Sequence, residues 1–357
     1  MTGSPALKVA GFALSLAVPL LTPLGVGTGA AWLAPAVVFG ILPVLGLAIG
    51  EDRSLPNVEL YRSAIVRRYL RNLPRVYAGV WILVLVWAMS LAAGADFRVR
   101  EYLWIVVSLG IASAVAVCTA HELMHRRSEA DVFLARLMMT LCGYGHMVVE
   151  HRHHHATVGD PEVGSTAPRG FSVYRFAAGD YVQGFRNSWN AERTRLRRRD
   201  APVWCNRVLQ DYALVIVLAA AVGFAFGVPG IIVFLGQGVF AIFVFEVITY
   251  VHHYGLVVAE GEILGPQHAW AHHCWITNCL TFNNTYHSDH HARPETPYYS
   301  LHGMYGAPRL PASYFTMFCV ALVPPLWFRL MDSRLDAIKR SRDLSEDSAF
   351  DASHYCR

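Results

Sequence analysis

Most of the 17 histidines in this 357-residue chain fall in four short stretches. These are His121-Glu122-Leu123-Met124-His125, His151-Arg152-His153-His154-His155, His252-His253 and His287-Ser288-Asp289-His290-His291. Imidazole is the commonest protein ligand for metal ions near neutral pH. His121 and His125 stand four apart, so on a helix they share a face and can serve one ion. The spacing H-x-x-H-H occurs at His151, His154 and His155 and recurs at His287, His290 and His291. His153 is a spare donor within its run, and only one of His252 and His253 is expected to face an ion.

Each stretch alone has a plainer reading. H-E-x-x-H also spells a zinc protease with Glu122 as general base. A histidine run is often a solvated tract, and a lone His253 would be an interfacial side chain. Recurrence of the spacings argues against chance, and a zinc protease site needs only three protein ligands. The nine imidazoles selected by these spacings exceed the capacity of one ion, so the count argues for two. Imidazole suits zinc, copper, iron and nickel, and the residues alone leave the choice open. Neutral ligands leave the ions' charge uncompensated, which singles out Glu122, Glu150, Glu246, Asp289 and Asp160 as bridging or outer groups. Asp289, between the histidines of its run, is placed to accept a ring N–H and fix a tautomer.

These side chains need a scaffold, and the rest of the chain is apolar. Of its residues 54% are hydrophobic, gathered in long uncharged runs. A membrane crossing takes about 20 residues, at ~1.5 Å each across ~30 Å of hydrocarbon. Six runs qualify, at residues 9–26, 31–49, 76–93, 103–120, 212–226 and 231–251. The Gly25–Gly29 and Gly227–Gly230 links are short and glycine-rich, so the first and last pairs read as antiparallel hairpins. Residues 134–149 and 315–330 are weaker segments, the first interrupted by Arg136, Gly143 and Gly145 and the second by Pro324-Pro325; both read as interfacial or buried. The start of the chain reads as a retained span, not a signal peptide.

The net charge of +4 is carried almost wholly by arginine, Lys8 and Lys339 being the only lysines. That excess is too small to argue for nucleic acid. The arginines cluster in three segments: Arg53 to Arg75, Arg126 to Arg199, and Arg329 onward. The positive-inside rule places these segments and both termini in the cytoplasm. All four histidine stretches then converge on that side at similar depth. The 7 cysteines form no C-x-x-C pair, which predicts no disulfides and no fused rubredoxin-type iron site. The expected protein is all-α and polytopic, with about six transmembrane helices and a cytosolic histidine-rich di-metal cap. Residues 1–336 form one domain and 337–357 a polar tail.

These residues resemble the integral-membrane alkane 1-monooxygenases, a branch of the membrane fatty acid desaturase and hydroxylase superfamily. The similarity runs in order from about residue 50 to 336: Gly50-Glu51-Asp52-Arg53-Ser54, HELMHRR, EHRHHHATVGDPEVGS, TYVHHYGL, QHAW, HSDHHARPETPYYSL and ALVPPLWFRLMDSRL. The HYGL and HSDHHA blocks are specific to this branch, whereas the histidine spacings are shared across the superfamily. The resemblance implies a non-haem di-iron site held by His121, His125, His151, His154, His155, His253, His287, His290 and His291, with Glu122 and Asp289 behind the ligands. It implies O₂-dependent hydroxylation of the terminal methyl of an alkane or similar apolar molecule drawn from the lipid bilayer. Electrons would come from a rubredoxin (or ferredoxin) and its NAD(P)H-dependent reductase, and the location would be the inner (plasma) membrane. The chain departs from the family pattern at three places: its second motif is one residue shorter, His252 replaces a glutamate, and Cys274 falls where relatives carry a histidine. An aromatic methyl, a terpene or a fatty acyl chain as substrate, or desaturation, would use the same site. A membrane zinc protease and a metal transporter are the distant alternatives; a transporter needs ionisable residues along its spans, where Glu246 is the main acid.

Overall fold

The computed structural model describes residues 5–52 and 58–354. Arg53, Ser54 and Cys356 lie outside the described residues. Among the described residues the chain is helix and turn, with only isolated bridges joining Glu51 to Cys274 and Ala271 to Arg309. In chain order the helices are α1 (Ala6–Gly27), α2 (Leu33–Ile49), α3 (Val58–Arg62), α4 (Ala64–Gly94), α5 (Val99–Met124), α6 (Glu129–Leu141), α7 (Met147–Thr157), α8 (Val173–Arg198), α9 (Arg207–His253), α10 (Trp275–Leu280), α11 (His287–Ala292), α12 (Tyr314–Ala321) and α13 (Pro324–His354). Helices α1, α4, α5 and α9 are long and apolar enough to cross a membrane, and α2 is apolar but shorter. The protein is a membrane protein.

Helix α9 counts as one element only by its hydrogen bonds. At Gly227 the backbone leaves the helical region, with φ 64° and ψ −164°, a conformation open essentially to glycine alone. Across this break a Cβ on Gly230 would lie 3.3 Å from Cγ1 of Val222. Residues eight apart on a straight helix are ~12 Å apart, so the chain doubles back and α9 is two antiparallel arms.

Helix α5 is the central member. It is buried on all sides from Ser108 to Ala120, as expected of a helix apolar all round. It packs against α9, α4, α1 and α6. Its small residues Gly110, Ala112, Ser113 and Ala116 let neighbours approach closely, the usual device where lipid removes the hydrophobic drive between helices. Two side chains of α4 fix the register, Trp81 Nε1 donating to Ser113 Oγ at 2.9 Å and the Tyr77 hydroxyl to the Ala112 carbonyl at 2.7 Å.

The two weaker apolar segments are each broken. Residues 134–149 divide into α6 and α7 around Gly143, where φ is 73°, and residues 315–330 divide into α12 and α13 at Pro324. Helix α13 continues through residues 337–354 of the segment expected as a polar tail. This helix is tied to the body by Tyr254, whose hydroxyl donates to Asp332 at 2.7 Å, and by Arg169, paired with Asp336 at 2.5 Å.

The turn between α6 and α7 is clamped to the second arm of α9. Gln237 Nε2 donates to the Leu141 carbonyl at 2.9 Å, and a Cβ on Gly238 would lie 2.4 Å from the Cys142 carbonyl oxygen. That oxygen belongs to backbone and cannot step aside. Gly238→Ala is therefore expected to destabilise the detergent-solubilised protein by about 1–3 kcal/mol. A thermal-unfolding midpoint equal to that of the parent would refute the clamp.

Candidate metal centre

Four elements bring their histidines to one place. His121 lies in the last turn of α5, and His125 is the residue that caps this helix. Helix α7 carries His151, His154 and His155, and α11 carries His287, His290 and His291. His253 ends the second arm of α9. The nine form two groups. His121, His125, His151, His155 and His290 offer nitrogens within 4.8 Å of one another, and so do His154, His253, His287 and His291. Helical periodicity produces the sorting. Residues four apart (His121 and His125, His151 and His155, His287 and His291) fall in the same group, and the residue three along (His154, His290) falls in the other. Helices α7 and α11 thus contribute to both groups. The groups lie side by side, with the rings of His155 and His291 4.5 Å apart.

The donor atoms converge without partners of the kind a metal-free site would need. His151 Nε2 lies 2.9 Å from Nε2 of both His125 and His155. His287 Nε2 lies 3.0 Å from Nε2 of both His253 and His291. Nε2 of His121 and of His290 is buried with no protein partner. Converging lone pairs repel unless a cation lies among them. With metal–nitrogen bonds of about 2 Å, neighbouring donors around a transition-metal ion stand about 3 Å apart and opposite donors about 4 Å, inside the 4.8 Å that bounds each group. The residues therefore fit two transition-metal ions. Burial also keeps the imidazoles neutral, the form that coordinates. It pushes His125 down to about 3, aided by His155 and Arg152, and His155 down to about 4. Burial and mutual repulsion hold His151, His154, His287, His290 and His291 well below the usual histidine range.

The surrounding residues are assigned differently from the sequence expectation. Glu122 pairs with Arg126 at 3.1 Å, so it is not a free general base. Asp289 does not hold a ring N–H of the histidines beside it. It binds Arg293 at 2.9 Å and the His302 backbone N–H at 3.0 Å. Asp160 caps its own turn, accepting from the Glu162 N–H at 2.8 Å. His153 belongs to neither group. His252 also lies outside both but stacks on His287, with ring centroids 3.9 Å apart and planes 6° from parallel. Cys274 is buried beside Gly46 and Glu51, away from the two groups. The QHAW stretch has a role the sequence did not reveal. His253 Nδ1 donates to the His268 carbonyl at 2.9 Å, which leaves Nε2 of His253 as the free lone pair.

The sequence also gave no sign of Tyr144, Ser165 and Asp180. With Glu150 they line a cavity of about 20 Å³ that reaches His121, His151, His154 and His287, room for about one water. Asp180 is an ordinary acid on a polar helix, and nothing in its neighbourhood along the chain marks it.

Residues 101–321 match the family model described as fatty acid desaturase. Alkane 1-monooxygenase 1 of Pseudomonas aeruginosa is 35% identical over 84% of this chain and 81% of its own length. Alkane 1-monooxygenase 2 of Alcanivorax borkumensis is 32% identical over 90% of this chain and 87% of its own. The hydroxylase component of a Pseudomonas putida xylene/toluene monooxygenase is 29% identical over 84% and 81%.

Two predictions follow from this geometry. Replacing His154 or His290 by Ala should weaken metal binding by more than the ~10–100-fold typical of losing an outer partner, while His153→Ala should leave metal content unchanged; equal loss from all three, measured by elemental analysis, would show that the two groups are not the binding sites. The second concerns pH. The folded-state values of His125 and His155 lie below the unfolded value near 6.5, so the unfolded chain binds more protons and stability rises with pH. In metal-stripped protein this stability should be complete above about pH 6.5 and decline steadily toward pH 4; a flat melting temperature over that window would contradict it.

Proposed function

The chain belongs to the fatty acid desaturase family and, within it, to the membrane alkane 1-monooxygenases, and from that premise we propose that it is a two-iron hydroxylase of terminal methyl groups. It is an oxidoreductase of the monooxygenase class. The observation that carries the finer reading is the convergence of five and four neutral imidazoles at the ends of apolar helices. Zinc has no redox chemistry, and a monooxygenase needs an ion that does; among the metals imidazole favours, iron fits. When bound, the two ions would supply the activation of O₂, which no side chain can perform.

The chain's own part is to hold, orient and keep dry. His121, His125, His151, His155 and His290 would hold one iron, and His154, His253, His287 and His291 the other. Both groups rest on helix ends rather than on free loops, which fixes ligand directions. Apolar side chains come up to the site from the membrane side: Met147 and Phe245 line the same small cavity as His121 and His154. An alkane methyl arriving from the bilayer meets these surfaces with no polar group to desolvate. The inner membrane, with the metal centre facing the cytoplasm, is the placement the arginine distribution favours. The likeness to the xylene/toluene monooxygenase component supports one second reading, an aromatic methyl as substrate.

Electrons enter most simply near an incompletely buried ligand of the first group. His125 is only partly buried and borders an open cleft lined by Arg71, Arg75, Arg126 and Arg127, the last three paired with Asp131, Glu122 and Glu295, so that the cleft carries a small positive excess. A small acidic redox protein such as a rubredoxin, reduced by its NAD(P)H-dependent reductase, suits this basic rim.

The decisive assay combines membranes carrying the protein with iron, rubredoxin, reductase, NADH and ¹⁸O-labelled O₂ over a panel of alkanes and methylarenes. One labelled oxygen in a primary alcohol is the expected product; alkene products alone, or two equivalents of zinc without iron in the purified protein, would sink the proposal. Reversing charge in the cleft with Arg71→Glu and Arg127→Glu should lower kcat/KM for the rubredoxin about 10-fold at low salt and leave turnover with a small chemical reductant intact. Equal loss with both reductants would place the donor elsewhere.

A further inference from the structure

Beside the histidine groups lies a second assembly that metal binding does not use. Tyr144, Glu150, Ser165, Asp180 and Glu246 come from five separate places: the turn before α7, α7 itself, the loop after it, α8 and the second arm of α9. Tyr144 donates its hydroxyl to Glu246 Oε1 at 2.5 Å. Ser165 Oγ donates to Glu150 Oε1 at 3.2 Å. Asp180 lies beside Glu246 and Ser165. Glu246 is 1% exposed, and its Oε2 has no donor among the protein groups. Two carboxyl groups in contact in so dry a place cannot both ionise, so the pair keeps a proton between them.

Asp180 occupies both ends of a path. The residue lines the water-sized cavity whose other walls include His121, His151, His154 and His287. It is itself part-exposed, on a helix face it shares with the part-exposed Gln183 and Asn187. Glu150 lines the same cavity but is buried. Glu246 lies behind Asp180 with no surface of its own.

We propose that Asp180 is the proton inlet of the monooxygenase site and that Glu246, held by Tyr144, is the partner that shares and replenishes its proton. Monooxygenation requires such an inlet. One oxygen atom of O₂ enters the C–H bond and the other leaves as water, and the reaction takes two electrons from the donor and two protons from solvent. In each transfer the Asp180 O–H bond breaks and its proton crosses the cavity through one water to the oxygen being reduced. The shared proton of Glu246 relieves the charge left on Asp180, and solvent then reprotonates the pair from the exposed side of α8. Burial raises Asp180 to about 6, so at neutral pH the group can give a proton and take one back. Tyr144 fixes one oxygen of Glu246 and thereby aims the other.

The inference rests on the monooxygenase activity and on metal loading at the two histidine groups, so its test carries one readout independent of both. Asp180→Asn, Asp180→Glu and Glu246→Gln are made in the full chain. In metal-loaded protein Asp180→Asn should retain its metal and lose turnover about 100-fold, the scale of one general acid. It should release hydrogen peroxide in place of alcohol and show a larger solvent deuterium isotope effect on kcat, and Asp180→Glu should restore coupling. In metal-free protein, difference infrared spectra should show a protonated-carboxyl C=O band that disappears in both Asp180→Asn and Glu246→Gln. Unchanged turnover and isotope effect in Asp180→Asn would overturn the inlet, as would metal loss in step with activity, which marks a structural role. Should wild-type protein prove inactive with every donor, the hydroxylase reading fails first, and the infrared band then decides the carboxyl pair: its absence from wild type overturns the shared proton.

Discussion

Nine neutral imidazoles, crowded where little water reaches them, set the terms for the rest of the molecule. Their lone pairs point at one another at separations near 3 Å. Protonating any of them would bury a charge among neighbours poised to repel it, and leaving all of them unprotonated sets donor against donor. A cation in each group would resolve the conflict and would link metal binding to stability. The metal-free chain is held in this state by its scaffold rather than by the site.

The scaffold meets that demand through division of labour. Helices α5 and α9 deliver His121, His125 and His253 at the ends of long apolar rods, whose positions are fixed by packing along their length. The remaining six ligand candidates ride on α7 and α11, of 11 and 6 residues. Helices this short are not stable alone. Each is therefore braced by backbone contacts. The turn entering α7 lies against Gly238 and Gln237 of α9, and Ser288 in α11 donates to the Pro266 carbonyl at 3.2 Å. The QHAW segment joins the two systems, since its His268 carbonyl orients His253 while Trp270 Nε1 donates to the Tyr254 carbonyl at 2.8 Å. A membrane rod and a surface helix are thus registered against each other through one extended segment.

What could be read from the chain follows from which interactions are local. Spacings of three and four residues translate directly into helix faces, so membership of His121, His125, His151, His154, His155, His287, His290 and His291 in the metal-seeking set was legible. The choice between His252 and His253 was not, because it depends on the rotation of α9 about its axis, set by distant packing against α5. The break at Gly227 was legible from glycine and proline chemistry. Glu122 and Asp289, expected behind the ligands, share one feature that the histidine spacings do not show: arginines four residues on, Arg126 and Arg293, pair with both carboxylates on the helix surface. Asp180 was invisible because its partners come from α9 and from the loop after α7, more than a dozen residues away in either direction.

The same electrostatics that make the histidines neutral give meaning to the acids beside them. Two divalent ions held only by imidazole would place about four positive charges in a low-dielectric setting with no ligand charge to offset them, and the bound ions become the largest local charges in the site. The nearest uncommitted carboxyl groups are Glu150, Asp180 and Glu246; Glu122, Asp289 and Asp160 are bound to arginine or backbone partners. Burial, aided by the neighbouring Asp180, raises Glu150 to about 8, and burial raises Asp180 to about 6. Cations a few ångströms away act in the opposite direction and favour the ionised forms. Metal loading should therefore release protons from this assembly. A group so placed balances the ions' charge at rest and can still pass a proton during turnover. Charge compensation and proton supply then become two consequences of placing carboxyl groups behind the ligands instead of among them.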